Sequence, residues 1–430
     1  MDLKAYIEER RKEGKYVELE GEVDPHYEVA RYLKRHDGGP TLLFNKVKGH
    51  SIPVVGNLVT KREDIVKLLR VKDLNEAYLK LLEACNSPSR LKLKSDAPFE
   101  EVRLKDLRDL PILTHYERDG GPYITTSVVI ARDYDTGAFN ASIHRMLMVD
   151  PTHLAIRVVP RHLHYIMTRW WEKGKDLPIA VVIGSHPAMF LAAASSPPLG
   201  VFEAEVANNL LNGKLEGCLL NNGIIVPRSS EIVIIGRILR DSYVEEGPFV
   251  DVTGTYDKVR RQPVVEVEAI YAKEEALYHA LLPASREHRI FMSFYREALI
   301  WQRVKEVVPT LKAVRLTTGG CNWLHCVLSI RKVNEGDPKN AMLAAFAAHP
   351  SLKMVIVVDE DIDPDSPEDV EWALATRFQP DEDLVVISRI RGSSLDPSSD
   401  QERLLTSKMG IDATTPLNRP RDLFERAKIP

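Results

Sequence analysis

The sequence predicts a multidomain chain of α+β and α/β type, with an N-terminal α/β domain, a strand-rich middle and a C-terminal α/β domain. Three observations predict it. At 430 residues the chain exceeds what one hydrophobic core supports. Apolar residues at helical spacing mark the first hundred residues and return after about Ala272. Between them lie short Val- and Ile-rich runs separated by turn residues, which suggest a barrel or sandwich rather than a parallel wound sheet. The divisions fall near residues 110 and 273, giving domains over 1–110, 111–273 and 274–430.

In order, Leu3, Tyr6 and Ile7 share one helical face, as do Val29, Tyr32 and Leu33, and then Ile65, Leu68 and Leu69. Thr41 to Phe44 and Ile52 to Val55 read as strands. The polar, Lys- and Asp-rich stretch from Ser87 to Leu110 has the composition of a linker. Strands are then expected over Tyr123 to Ile130, Leu154 to Val159, Ile179 to Ile183, Ile232 to Ile238 and Val264 to Tyr271, with helices over Arg161 to Lys173 and Glu203 to Leu211. Helices over Glu275 to Leu282 and Glu297 to Val307 open the last domain. There strands at Ala313, Val327, Met354 and Leu384 alternate with helices at Pro338 and Pro367. Ser366 is the expected N-cap of the latter, with Pro367 at the first helical position and Asp369 facing back to the cap.

Hydrophobic content of 44%, charged content of 28% and a formal net charge of -4 describe a globular protein without the basic excess of a nucleic-acid binder. Apolar runs such as Met354 to Val358 are far short of a membrane span, and no basic-then-apolar leader opens the chain, so a cytoplasmic location is expected. Four cysteines, with four residues between Cys321 and Cys326 and no matching second pair, indicate neither a zinc site nor a disulfide framework.

The chemistry concentrates in a few stretches. Glu245, Glu246 and Asp251 flank the Gly247-Pro248 turn, so Glu246 and Asp251 can converge from its two sides. Two carboxylates held close repel, and one then keeps a proton to higher pH, which sets an acid beside a base. Taken alone, the same stretch also reads as an acidic surface hairpin. Asn140 to Arg145 packs an amide, a hydroxyl, an imidazole and a guanidinium into six residues, either a polar strand edge or a ligand site. Arg157, Arg161, His162 and His164 lie at a strand-to-helix junction that favours an anion, or else form a solvated helix face. Glu203 and Glu205 open a helix, where either carboxylate can complete an oxygen-rich site for a hard divalent ion; each alone also reads as an exposed helix-start acid. Asp359 to Asp363 lacks the Gly and terminal Glu of a calcium loop and reads as a turn after a strand.

Taken in order, these pieces resemble the UbiD family of decarboxylases: Asn140 with Arg145, Arg157, Glu203 with Ala207, Val226-Pro227-Arg228-Ser229-Ser230-Glu231, Glu246 through Tyr256, Val358 to Asp363 and Ser407 to Thr414. The resemblance spans nearly the whole chain. It implies a central split β-barrel, flavin-reductase-like, that binds prenylated FMN, followed by a C-terminal α/β domain with dimer contacts. It also implies a divalent metal, manganese first, and potassium near the flavin phosphate, with a flavin prenyltransferase as supplier of the cofactor. By position, Arg145, Glu246 and Asp251 match the family's Arg-Glu-acid triad, and Asn140 and Glu203 its metal ligands. Asn140, Ile143, His144, Arg145, Arg157, Val158, Val159, His162, Leu163 and Glu203 match its cofactor-binding positions. Leu163 stands where some members carry a metal-binding His, which leaves either His162 as a substitute or that ligand absent. One extra residue before Gly213 leaves Glu205 as a fallback for Glu203. Ile235 stands where many members have an acid.

The implied roles have a physical basis. A cation such as Arg145 holds a carboxylate, the cofactor accepts the electrons left by CO2 loss, Asp251 protonates the product carbon, and Glu246 holds Arg145 and tunes Asp251. Arg157 to Leu163 looks like the branch acting on trans-anhydromevalonate 5-phosphate, which gives isopentenyl phosphate in the archaeal mevalonate route. The expected partner is thus a small, phosphorylated carboxylic acid, with no nucleic acid, no membrane and a homo-oligomeric state. An aromatic or 4-hydroxybenzoate-type acid is the alternative within the family, and a non-catalytic flavin-binding or assembly protein the alternative outside it.

Overall fold

The computed structural model describes residues 2–427 and residue 429. It divides into two compact units, Met1–Phe291 and Met292–Pro430. In the first, the expected amphipathic helices form as Leu3–Lys12, Glu28–Arg35 and Arg62–Leu69, with Leu3, Ile7, Val29, Leu33, Ile65 and Leu68 turned inward. Another helix, Leu74–Asn86, follows them. Strands Thr41–Val47 and Val54–Gly56 form as expected, and two further strands, Tyr16–Val23 and Tyr278–His279, complete a four-stranded sheet.

The helix expected over 275–282 does not form. Tyr278 and His279 pair in parallel with Val54 and Val55, and the amides of Tyr278 and Ala280 bond to the carbonyls of Pro53 and Val55, so they are spent on the sheet and not on a helical ladder. The polar stretch over 87–110 is not a free linker either. Its strand Lys92–Lys94 pairs with Glu216–Leu219, and Val102–Leu104 adds to the edge of Arg260–Ala272.

The middle of the chain builds one nine-stranded sheet whose neighbours are all antiparallel. Its path runs Tyr123–Ile124, Met146–Asp150, His153–Ile156, Arg260–Ala272, Ile232–Glu246, Leu177–Ile183, Val128–Arg132 and Phe139–Ile143. The two long central strands are the spine, paired from Ile232 opposite Ala272 to Glu246 opposite Arg260, with the register shifting between Ile235 and Gly236 and again between Ile238 and Tyr243. One face buries Ile179, Val181, Ile232, Ile234 and Val265 against Leu163 and Ile166 of helix His162–Glu172. Each such side chain contributes about 1.5–3 kcal/mol when fully buried, which fixes which residues of each strand face away from that core.

The second unit has a five-stranded sheet in the order Leu311–Leu316, His325–Ile330, Met354–Asp359, Leu405–Ala413, Leu384–Arg391. Helices Asp337–Ala348 and Pro367–Arg377 accompany it, and the Ser366 hydroxyl accepts the Asp369 N–H at 3.2 Å as the expected cap. The acids after Met354–Asp359 are held as a turn by Arg377, which bonds Asp359 at 2.8 Å and Asp361 at 2.6 Å. Among the described residues no helix is long and apolar enough to cross a membrane.

Candidate active site

Strand alternation decides which acid of the hairpin points inward. Over Tyr243 to Glu246, where pairing with Arg260 to Pro263 is continuous, successive side chains face opposite sides, so Glu245 is exposed while Glu246 is 0% exposed. A tight turn follows. Gly247 has φ +106°, and a Cβ there would stand 3.2 Å from the Lys258 carbonyl, so glycine is required. Phe249–Val250 then pairs with Tyr256–Asp257, and the loop between them closes through Asp251 N to Thr255 O and Gly254 N to Asp251 O.

Arg145 is where this hairpin meets the sheet, just before strand Met146–Asp150. Its Nε and Nη2 grip both oxygens of Glu246, at 2.8 and 3.0 Å, the planar fork that lysine cannot offer. Nη1 reaches Asp251 at 3.4 Å, and Nη2 also reaches Asp257 at 3.1 Å. The guanidinium lies over the Phe249 ring at 4.7 Å. Burial pushes its pKa down, but Glu246, Asp251 and Asp257 outweigh that, so its ordinary value is raised. The hairpin acids thus meet across a shared cation. The bare carboxylate repulsion expected from the hairpin alone is offset by it.

Tyr123 adds a second donor to Glu246, its hydroxyl 2.9 Å from Oε1, with its ring 4.4 Å from Phe249. Burial and the neighbouring Glu246 carboxylate both raise the Tyr123 pKa, keeping the phenol a donor. On the other side of the loop, the Arg289 side chain bonds the Val252 carbonyl at 3.0 Å, and His288 Nδ1 accepts the Ala284 N–H at 3.0 Å. Burial lowers the His288 pKa, against the pull of the Asp251 carboxylate.

A second cluster gathers on strand Phe139–Ile143 and the first turn of helix Glu203–Leu210. Glu203, 2% exposed, accepts Asn140 Nδ2 at 2.8 Å and the Ala141 N–H at 2.6 Å. Burial pushes its carboxyl up to about 8. Ser142 Oγ lies 3.1 Å from Asn140 Oδ1 and 2.9 Å from His144 Nε2. His144 Nδ1 is 2.8 Å from the Arg157 carbonyl and so is its donor nitrogen, and burial pushes the ring down to about 4. With His144 neutral, Nε2 accepts the single Ser142 proton, and Asn140 Oδ1 is left as an acceptor facing another oxygen. A buried carboxylate, an amide oxygen and a hydroxyl are the donors a hard divalent cation prefers. Among the described residues no three His, Cys, Asp or Glu side chains converge, so a cation here would draw on Asn140 and on ligand oxygens as well as Glu203. The residues fit that group.

The structure brings Asn140, His144, Arg145, Glu203, Glu246 and Asp251 into these two clusters, linked through the His144–Arg157 bond. Val158 presents its N–H to Gln262 at 2.9 Å, and Val159 is exposed. Ile143 and His162 are half-buried, and burial lowers the His162 pKa. The Leu163 side chain sits in the apolar core, so only its backbone can meet a ligand. Glu205 is half-buried, and it is Glu203 that bonds Asn140. Sequence reasoning missed Tyr123, Asp257 and His288. Asp257 stands opposite Phe249 in a hairpin register that only the fold supplies.

Three family models of 3-octaprenyl-4-hydroxybenzoate carboxy-lyase, the UbiD N-terminal, Rift-related and C-terminal domains, match residues 7–84, 91–286 and 289–413 in that order. The anhydromevalonate phosphate decarboxylase of Aeropyrum pernix is 46% identical over 430 residues, covering 100% of this chain and 96% of that protein. The enzyme of the same description from Methanothermobacter thermautotrophicus is 45% identical over 399 residues, covering 93% and 94%. Among solved structures, the UbiD-class enzyme HmfF of Pelotomaculum thermopropionicum in complex with FMN has a TM-score of 0.97 at 41% identity, covering 100% of this chain and 98% of that one. An evolved dimeric form of HmfF in complex with prFMN has a TM-score of 0.93 at 40% identity, covering 100% and 97%.

Proposed function

We propose, because this chain belongs to the UbiD family, that it is a prenylated-FMN-dependent carboxy-lyase converting trans-anhydromevalonate 5-phosphate to isopentenyl phosphate and CO2. The observation that carries the reaction class is the buried Arg145 guanidinium, held by both oxygens of Glu246 and touching Asp251. The substrate follows from full-length relatives of that description at 43–46% identity. The nine-stranded sheet is read as the split β-barrel that carries the flavin, with Ile143, His144, Arg157, Val158, Val159, His162 and Leu163 along it. Asn140 and Glu203 would hold a manganese ion against the flavin phosphate, with potassium nearby. A homo-oligomer, and a flavin prenyltransferase as cofactor supplier, complete the reading.

The cofactor, when bound, supplies the electron sink for the carbanion equivalent that CO2 leaves behind. The chain's own residues bind, orient and protonate. Arg145 receives the substrate carboxylate through Nη1, whose 3.4 Å contact to Asp251 is the longest it makes and is replaced at least cost. That exchange frees Asp251 from the cation; its carboxylate takes up a proton from solvent, turns toward the reacting carbon and delivers that proton from a carboxyl oxygen. Glu246 keeps the guanidinium plane fixed throughout, so the carboxylate is presented in one orientation. Phe249 and Tyr123 cover the pair and keep water from it.

The test is CO2 release by holoenzyme from trans-anhydromevalonate 5-phosphate beside 4-hydroxybenzoate and cinnamate. Release from the phosphorylated acid alone is expected. Release from an aromatic acid instead moves the substrate to the other branch of the family, and bound flavin with release from none refutes the enzyme.

A further inference from the structure

Asp257 is a carboxylate that the proposed chemistry does not use, yet it has more cationic neighbours than either hairpin acid. Its Oδ2 lies 3.1 Å from Arg145 Nη2 and 3.8 Å from Arg157 Nε. Its Oδ1 accepts Arg260 Nη1 and the Lys258 N–H, the latter at 2.8 Å. The side chain is only 13% exposed. Its place is dictated by the hairpin: Asp257 pairs with Phe249 in Phe249–Val250 against Tyr256–Asp257, and Arg260 stands opposite Glu246 where the long strands meet. Three guanidiniums therefore crowd one small region. Burial lowers the Arg157 pKa, and Arg260 and Arg145 lower it further by repulsion, so the crowding has a cost. Burial would raise the Asp257 pKa, but Arg260, Arg145 and Arg157 overcome it and hold the carboxyl below the usual range.

We propose that Asp257 is a positioning residue whose carboxylate, shared by Arg145, Arg157 and Arg260, sets both the orientation of Arg145 and how tightly Arg145 grips an anionic substrate. The inference rests on the decarboxylase reading for its kinetic consequences only. With Asp257 in place, the charges of Arg145, Arg157 and Arg260 are balanced by Glu246, Asp251 and Asp257, and a substrate carboxylate enters a neutral cluster. Without its charge, the cluster is left one positive charge in excess. Anions then bind more tightly, while the guanidinium loses the anchor that fixed Nη2. Tighter ground-state binding together with looser orientation is not transition-state stabilisation, so KM and kcat fall together.

Asp257→Asn keeps the shape and removes the charge. The KM of the holoenzyme for the phosphorylated acid should fall by about threefold to tenfold, and more steeply at low salt. The kcat should fall by about tenfold. Asp257→Glu should keep the wild-type KM. Separately, with no substrate present, phenylglyoxal should modify Arg157 and Arg260 several times faster in Asp257→Asn, as read by peptide mass mapping. An unchanged or raised KM, or unchanged modification rates, overturns the proposal. If the wild type releases no CO2 from any acid, the enzyme reading fails, and the phenylglyoxal rates alone then decide the role of Asp257.

Discussion

Replacing Tyr123 by Phe removes one oxygen from the middle of the site and leaves its shape. The ring stays against Phe249, 4.4 Å between centroids, in a fully buried position. What is lost is the 2.9 Å hydrogen bond to Glu246 Oε1. A hydrogen bond to a charged group contributes about 1.5–3 kcal/mol. Glu246 keeps its two bonds to Arg145, at 2.8 and 3.0 Å, so its carboxylate is not orphaned and the lower end, about 1.5 kcal/mol, applies. If that energy serves to hold the Glu246–Arg145 plane for the transition state, kcat falls about tenfold, since about 1.4 kcal/mol is a factor of ten. The assay is steady-state decarboxylation by holoenzyme with the flavin absorption spectrum recorded alongside. Lower kcat, KM within about twofold of wild type and an unchanged flavin spectrum are expected. An unchanged kcat refutes the argument that Tyr123 orients Glu246. A raised KM with kcat intact would mean that the hydroxyl serves binding alone.

Three other expectations follow from the same geometry. Arg145→Lys keeps a charge but loses the fork that meets both Glu246 oxygens, and should lower kcat by about a hundredfold or more; activity near wild type would show that charge alone suffices. Glu203→Gln can keep the bond from the Ala141 N–H while removing the charge a divalent cation needs, so the protein should stay folded by circular dichroism and lose manganese binding by calorimetry; retained binding would place the ion elsewhere. Lys408 is buried with its ammonium bonded to the Pro350 carbonyl at 2.7 Å, and burial pushes it down to about 8. Its folded pKa lies below its unfolded value, so between about 8 and about 10.4 the unfolded chain binds more protons and stability rises with pH, by up to about 3 kcal/mol. Lys408→Met should flatten that rise in urea-midpoint measurements, and an identical rise in the variant would assign it to another group.

Much of this was legible in the residues themselves, where local period and burial agree. Leu3, Val29 and Ile65 announce their helices because apolar residues recur at helical spacing, and Ser366 announces its cap through its own side chain. In Tyr16–Val23 the signal was weaker: Glu18, Glu20 and Glu22 share one face and Val17, Leu19 and Val23 the other, but only Val23 of the strand is buried. Tyr278–His279 is a strand only because Val54 and Val55 are there to pair with it, which no window around 278 contains. The site divides in the same way. Glu246 and Asp251 lie five residues apart, and with Arg145 they are visible as an ordered pattern that resembles a family. The Tyr123 bond to Glu246 joins residues 123 positions apart, and Asp257 acquires its role only when Arg145, Arg157 and Arg260 arrive from three strands' ends. Long-range pairing of that kind is a property of the register.

Whether Asp251 is the proton donor is tested most directly by turnover of holoenzyme Asp251→Asn with trans-anhydromevalonate 5-phosphate in D2O, beside the wild type. Wild-type product should gain one solvent deuteron at the carbon that lost CO2, while Asp251→Asn keeps the bound flavin spectrum and forms no product. Wild-type turnover rates in the variant, or loss of its flavin, would contradict the assignment of Asp251 as the proton donor.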